Sequence, residues 1–241
     1  MSKKTLSTKT SNPSVNAFLE KVATIKAIKP ASTCPRGTKR GRLLFAMDAT
    51  ASREPSWDNA CQLQGEMFSA SDALGGLEVQ LCHFRGYNEF AHSNWLNDTH
   101  TLRNTMSSVS CLGGHTQIER VLRHAIKETK QSHIHAMVYV GDCCEENIDD
   151  ICGAAGQLGV LGVPIFVFQE GVNPHAQQVF LHMATLSQGA YCHFDAGSAQ
   201  QLRDLMGAVA AYAAGGRKAL EQYGQKQGGN ALQLTQQLPN R

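Results

Sequence analysis

The sequence predicts an open α/β sheet, mostly parallel with one antiparallel edge strand and with helices on both faces. Three observations carry this. Leu43-Leu44-Phe45-Ala46-Met47 and Ala136-Met137-Val138-Tyr139-Val140 are unbroken apolar runs of strand length, the pattern of strands buried on both faces. Each run ends near a carboxylate, Asp48 in the first and Asp142 after Gly141 in the second. Between and beyond them strand patterns alternate with helical periodicity, which requires crossover connections and gives a Rossmann-like layout. The two aspartate-tipped strands are expected side by side at mid-sheet. Their carboxyl ends then lie at the edge where such sheets bind ligands.

Taken in order, Met1 to Pro13 are polar and Ser/Thr/Lys-rich and are expected to be disordered. Ser14 to Ile28 spaces Val15, Phe18, Leu19, Val22 and Ile25 as one face of a helix, and Lys29 to Arg42, broken by Pro30, Pro35 and Gly37, reads as a linker. The expected organisation is a basic arm with a short helix over 1–41, an α/β domain over 42–224, and a mobile polar tail over 225–241. After the first strand, Trp57, Ala60, Cys61, Gln64, Met67, Phe68 and Leu74 keep helical spacing until Gly75-Gly76. Leu77 to Phe84 alternates as a strand, Gly86 marks a turn, and Asn88 to Trp95 is expected to return antiparallel at the sheet edge. Asp98 starts a short helix through Leu102 and Met106.

Cys111-Leu112-Gly113-Gly114-His115-Thr116 is a glycine-rich loop leading into a helix marked by Ile118, Val121, Leu122, Ala125 and Ile126. Two glycines allow close backbone approach, and Thr116 with Glu119 has the spacing of a capping box. Ile148, Ile151, Ala155 and Leu158 mark the next helix, Val163 to Gln169 a third apolar strand, and Val179, Met183 and Leu186 another helix. Ala190 to Asp195 is the last strand. A final helix runs from Ser198 through Leu202, Leu205, Val209 and Tyr212, past Gly215-Gly216 toward Tyr223.

A chain of 241 residues, 42% hydrophobic and 17% charged, is large enough for one α/β domain with extensions. It contains no apolar run of the ~20 residues that span a bilayer and no apolar leader segment, so a cytoplasmic location is expected, with no membrane partner. The cysteines, Cys34, Cys61, Cys82, Cys111, Cys143, Cys144, Cys152 and Cys192, form no C-x-x-C pair and read as reduced packing residues. The net charge of +2 hides an asymmetry: through Arg42 the chain carries +9, with Glu20 as its one acid, which leaves −7 on the remainder. A basic arm is compatible with nucleic acid or an acidic protein, yet it offers little aromatic surface for base stacking. Nucleic acid is therefore not expected as a partner.

The candidate site starts from Asp48, Thr50 and Ser52. They alternate along a short loop with small Ala49 and Ala51 between them, so their oxygens can converge on one hard cation. A bland alternative is that Ser52, with Glu54, Pro55 and Asp58 after it, merely caps a helix. Sheet topology brings Thr116 and Asp142 to the same edge. This set, Asp48-Ala-Thr50-Ala-Ser52 with Thr116 and Asp142, resembles the metal-ion-dependent adhesion site (MIDAS) of von Willebrand factor A (vWA) domains, whose pattern is Asp-x-Ser-x-Ser, then a threonine, then an aspartate. Thr50 departs from the pattern but keeps the hydroxyl. Gly189-Ala-Tyr191, Ser198 and Leu202 also resemble the closing strand and helix of that fold, and the resemblance covers Arg42 to about Ala214. It extends to bacterial vWA proteins without assigned activity.

The resemblance implies a Mg²⁺ held by Asp48, Thr50, Ser52, Thr116 and Asp142, with Mn²⁺ as an equivalent. Two carboxylates and three hydroxyls leave places for water, and one position open to a Glu or Asp of a partner protein. Glu54, His115, Glu145 and Glu146 form the expected partner-binding rim. The implied function is metal-dependent protein binding, of adhesion or scaffold type, without catalysis. Three rivals remain at this stage. One is a haloacid-dehalogenase-like Mg²⁺ phosphatase using Asp48, against which Thr50 replaces the second acid and Lys127 and Lys130 lie inside a helix. Another is a vWA scaffold with a vestigial metal site. The third is a Ser52–His115–Asp142 hydrolase triad, for which no nucleophile elbow is visible. His133 and His135 are expected to face opposite ways and to bind nothing.

Overall fold

A computed structural model of the chain describes residues 41–55, 57, 77–194 and 199–227. The predicted arm and its helix, most of the helix after Ser52, and most of the polar tail lie outside the described residues. The elements are β1 (Gly41–Asp48), β2 (Leu77–Arg85), β3 (Glu89–His92), α1 (Thr99–Ser107), α2 (Ile118–Gln131), β4 (Ala136–Gly141), α3 (Ile148–Val160), β5 (Ile165–Glu170), α4 (Pro174–Leu186), β6 (Ala190–Phe194) and α5 (Ala199–Gln227). They form one sheet in the order β3-β2-β1-β4-β5-β6, and only the β2–β3 pair is antiparallel. From β1 the chain moves outward to β2 and β3. It then crosses back to β4, so the winding direction reverses between β1 and β4, and the two aspartate-tipped strands are neighbours there.

Period-two alternation divides the core in two. Leu43, Phe45, Met47, Val138, Val140, Phe166 and Phe168 face α1 and α5, where Leu102, Met106, Ala208, Val209 and Tyr212 pack against them. Leu44, Ala46, Met137, Tyr139, Ile165 and Val167 face α2, α3 and α4 through Val121, Leu122, Ile151, Ala155, Val179, Phe180 and Met183. This is why the two apolar runs have no polar face. Phe45 is fully buried, and truncating it to alanine would cost about 3–5 kcal/mol.

Several local expectations need correction. The strand begins at Gly41, not after Arg42: Arg42 pairs in register with Glu78, and its guanidinium lies 3.6 Å over the Trp95 ring. The edge strand is short, Glu89–His92, because Leu81 N–H donates to Ser93 Oγ where the ladder would offer a carbonyl. Pairing resumes briefly at Leu96 beside Val79. The last strand is described as far as Phe194, Asp195 lying outside the described residues, and α5 is kinked at Gly215-Gly216, with Gly216 at φ +65°. His133 and His135 do not face opposite ways; their rings meet edge to face, 5.1 Å apart. Residues two apart in extended chain share a side, and here buried Ile134 points inward between them.

Candidate functional site

Asp48 ends β1 with no exposed surface. The chain turns at once, because Thr50 N–H donates to Asp48 Oδ1 at 2.8 Å, and this turn brings Thr50 Oγ1 within 3.1 Å of Ser52 Oγ. Thr50 takes the N-cap position of a short 3-10 turn, Ala51–Arg53, without a side-chain capping bond. The helix that Ser52 was expected to cap lies mostly outside the described residues.

The glycine-rich loop is fastened to this turn. Leu112 N–H donates to Ala49 O at 3.0 Å and Thr50 forms an isolated parallel bridge with Leu112. Close approach is required at one glycine: a Cβ on Gly114 would stand 1.9 Å from Gly86 O, whereas one on Gly113 would meet nothing within 4 Å. Gly86 itself turns at φ +60°, so the β2–β3 turn and the loop interlock through two residues without side chains.

The third loop follows β4. Thr116, almost fully buried, accepts from Glu145 N–H at 3.0 Å, and its own N–H donates to Glu145 Oε2 at 3.2 Å. The capping box expected at α2 does not form. The helix starts at Ile118 after Gln117, and the Glu146 carboxylate accepts from the N–H groups of Ile118 and Glu119. A carboxylate from another loop meets two free helix donors and the positive end of the dipole, which a threonine hydroxyl cannot match. Glu145 also accepts from His115 Nδ1 at 3.0 Å. His115, Glu145 and Glu54 are exposed around the edge, while Glu146 is half-buried in its capping role.

Asp142 comes next to Asp48. Oxygens of the two carboxylates and Cys143 Sγ all lie within 4.8 Å of one another. Asp48 Oδ2 and Asp142 Oδ1 are buried, and among the described residues neither has a hydrogen-bond partner. Burial raises the Asp48 carboxyl to about 6; hydrogen bonds from Thr50 oppose the shift, the charge of Asp142 adds to it, and Arg53 reduces it. Burial pushes the Cys143 thiol well above its usual range, and Asp142 and Asp48 push it further. Two neighbouring carboxylates, each with a buried oxygen that lacks a partner among the described residues, are what a cation would satisfy, so the residues fit a bound metal.

Sequence reasoning misses Cys143 because cysteines outside any C-x-x-C pair read as packing residues. Its signal was its place immediately after the strand-end aspartate. Arg53 was also missed. It is 1% exposed and pairs at 3.0 Å with Glu170 at the end of β5, which anchors the first loop across the sheet edge. Two apolar groups join the rim, Tyr87, 79% exposed and edge-on to His115 at 5.3 Å, and Leu112, 51% exposed. The hydrolase triad is not assembled, since His115 Nδ1 bonds Glu145 and not Asp142. Lys127 and Lys130 lie toward the far end of α2, and Lys127 is about 14 Å along the axis from Ile118, so neither stands at the sheet-edge site.

No family model and no curated protein matches the chain. Solved structures do. The chain resembles a von Willebrand factor type A protein from Catenulispora acidiphila (TM-score 0.57, 14% identity, 72% of this chain and 43% of that one). It resembles the SpRpn10 VWA domain (TM-score 0.56, 13% identity, 69% and 94%). It also resembles proximal thread matrix protein 1 from the mussel byssus, a structure described with a zinc-occupied MIDAS motif (TM-score 0.57, 14% identity, 72% and 46%). The chain thus spans less than half of the first and third proteins. At these identities the likeness establishes the fold.

Proposed function

This chain has the von Willebrand factor A fold, and from that premise we propose that it is a non-catalytic binding module whose sheet-edge site holds a divalent cation and, through it, an acidic side chain of a partner protein. One observation carries the reading: at the switch point between β1 and β4 the Asp48 and Asp142 carboxylates bring an oxygen each within 4.8 Å of one another, and each carries a buried oxygen, Asp48 Oδ2 and Asp142 Oδ1, without a hydrogen-bond partner among the described residues. Asp48 and Asp142 would be the charged ligands, with the hydroxyls of Thr50, Ser52 and Thr116 as neutral ones. Such an oxygen set suits Mg²⁺ or Mn²⁺. When bound, the ion would supply a positive charge with room for an incoming carboxylate.

The chain's own residues shape the rest. The Thr50 turn and Thr50–Ser52 contact hold the hydroxyls of the first loop together. Thr116 and Glu145 tie the second loop to the third. Around the rim, His115 and Glu145 offer a polar contact, and Tyr87 and Leu112 an apolar one, so a partner would present an Asp or Glu beside apolar residues. Among the described residues no helix is long and apolar enough to cross a membrane, and Cys82, Cys111, Cys143, Cys144, Cys152 and Cys192 are free. Free thiols in such number support a reducing compartment such as the cytoplasm.

Calorimetric titration of the metal-stripped chain with Mg²⁺ and Mn²⁺, followed by affinity capture from lysate with and without EDTA, tests this. The expected result is binding that Asp48→Asn and Asp142→Ala each abolish, and a partner released by EDTA. Wild-type protein that takes up neither ion nor any other divalent metal would mark the site as vestigial and overturn the proposal.

A further inference from the structure

We infer that Cys143 Sγ joins Asp48 and Asp142 as the third charged ligand of the ion, and that this sulfur makes the site select Zn²⁺ over Mg²⁺ and Mn²⁺. The inference rests on the metal-binding reading above and narrows it.

Cys143 follows Asp142 in the loop after β4, and its sulfur belongs to the same cluster, in which every ligand atom lies within 4.8 Å of the others. An independent feature marks that cluster as a ligand site: Asp48 has no exposed surface, yet its Oδ2 has no hydrogen-bond partner among the described residues. Ligand atoms on one tetrahedral Zn²⁺ stand about 3.3–3.8 Å apart, given Zn–O near 2.0 Å and Zn–S near 2.3 Å. A contraction of up to about 1.5 Å would therefore close the shell. Two carboxylates and a thiolate then leave a fourth position for one of the loop hydroxyls, a water or a partner's donor atom, the arrangement of an open zinc site.

Ligand softness decides the metal. Mg²⁺ gains little from sulfur and demands six oxygens in near-ideal geometry, whereas Zn²⁺ binds thiolate strongly and accepts four ligands. Zn²⁺ also tolerates an anionic shell, as all-cysteine sites demonstrate. Ligation breaks the Sγ–H bond, releases the proton to solvent and forms a sulfur–metal bond, with no change in oxidation state. Cys144 is buried beside it and is not a member of the cluster, so the effect belongs to a single thiol.

The test uses the full chain, stripped with chelator under reducing conditions, with Co²⁺ as a spectroscopic substitute for Zn²⁺. Wild type should show a near-ultraviolet sulfur-to-cobalt charge-transfer band, which Cys143→Ser and Cys143→Ala remove while Co²⁺ still binds. Calorimetry should show Zn²⁺ affinity falling about thirty-fold or more in both variants, with Mg²⁺ affinity changing less than about three-fold. Co²⁺ binding that Asp48→Asn abolishes but that gives no band, or a band that survives in both Cys143 variants, overturns the inference and leaves the metal-binding reading standing. Absence of Asp48-dependent binding for Mg²⁺, Mn²⁺, Zn²⁺ and Co²⁺ alike overturns both.

Discussion

At the scale of single residues, Asp48 concentrates the conflict between stability and the proposed metal binding. Its carboxyl is raised to about 6 in the folded chain, chiefly by burial, against 3.8 for the unconstrained group. A raised carboxyl means that the folded state holds the proton more tightly than the unfolded one. The contribution is therefore fully present below pH 3.8 and is lost as pH rises through about 6. The whole swing is up to about 3 kcal/mol. Urea denaturation in EDTA should show wild type losing ground to Asp48→Asn between pH 4 and pH 7, because the amide keeps the acceptor for Thr50 N–H and carries no charge. A stability difference that does not change with pH would contradict the assignment. Metal uptake should run the other way and weaken below about pH 6, where the proton competes for the same oxygen. Thr116 calls for a different experiment, since its hydroxyl accepts from Glu145 N–H. Thr116→Ala should cost about 1–2 kcal/mol in chemical denaturation and weaken metal binding about ten-fold, and Thr116→Ser should restore both. An alanine variant with unchanged metal affinity would remove Thr116 from the ligand-holding set.

At the scale of elements, the N-terminus of α2 shows both what sequence could reveal and where it stopped. The helix was legible because Ile118, Val121, Leu122, Ala125 and Ile126 all face the core, and they do so in the fold. Its cap was not legible. Glu146 reaches it from 28 residues away along the chain, and nothing local to Thr116 or Glu119 signals that contact. The shared side of His133 and His135, by contrast, follows from their two-residue spacing in extended chain, while Ser93 interrupts the edge ladder through one side-chain hydroxyl that hydropathy alternation does not register. Glu146→Ala should destabilise the chain by about 1–2 kcal/mol, more at low ionic strength, since it frees two helix donors and removes a charge from the positive end of the dipole. Equilibrium denaturation at two salt concentrations measures this. If Glu146 served the partner alone, capture of the partner would suffer while the denaturation midpoint stayed in place.

At the scale of the whole molecule, the sheet order puts β1 beside β4, and that single adjacency assembles a site from loops almost a hundred residues apart. Adjacency was legible because two wholly apolar strands must share the middle of the sheet, where both faces are covered. The residues around the two aspartates were less legible, because Cys143 joins the cluster through the path of one loop and Arg53 is buried by its pairing with Glu170 at a third strand end. Such an arrangement predicts how a bound ion would act on the fold. The loops after β1 and β4 and the one before α2 are already cross-bonded, so an ion bridging Asp48 and Asp142 would couple strands of both halves of the sheet. Saturation at a hundred times the dissociation constant should raise unfolding free energy by about 2.7 kcal/mol. Hydrogen exchange should then slow throughout β1 and β4, not in the loops alone. Asp142→Asn reverses the balance: with one carboxylate charge gone the ion-free chain should be more stable than wild type, yet gain nothing from metal. Protection confined to the loops would instead mean that the site opens independently of the sheet, and that binding at the edge leaves the body of the molecule unaffected.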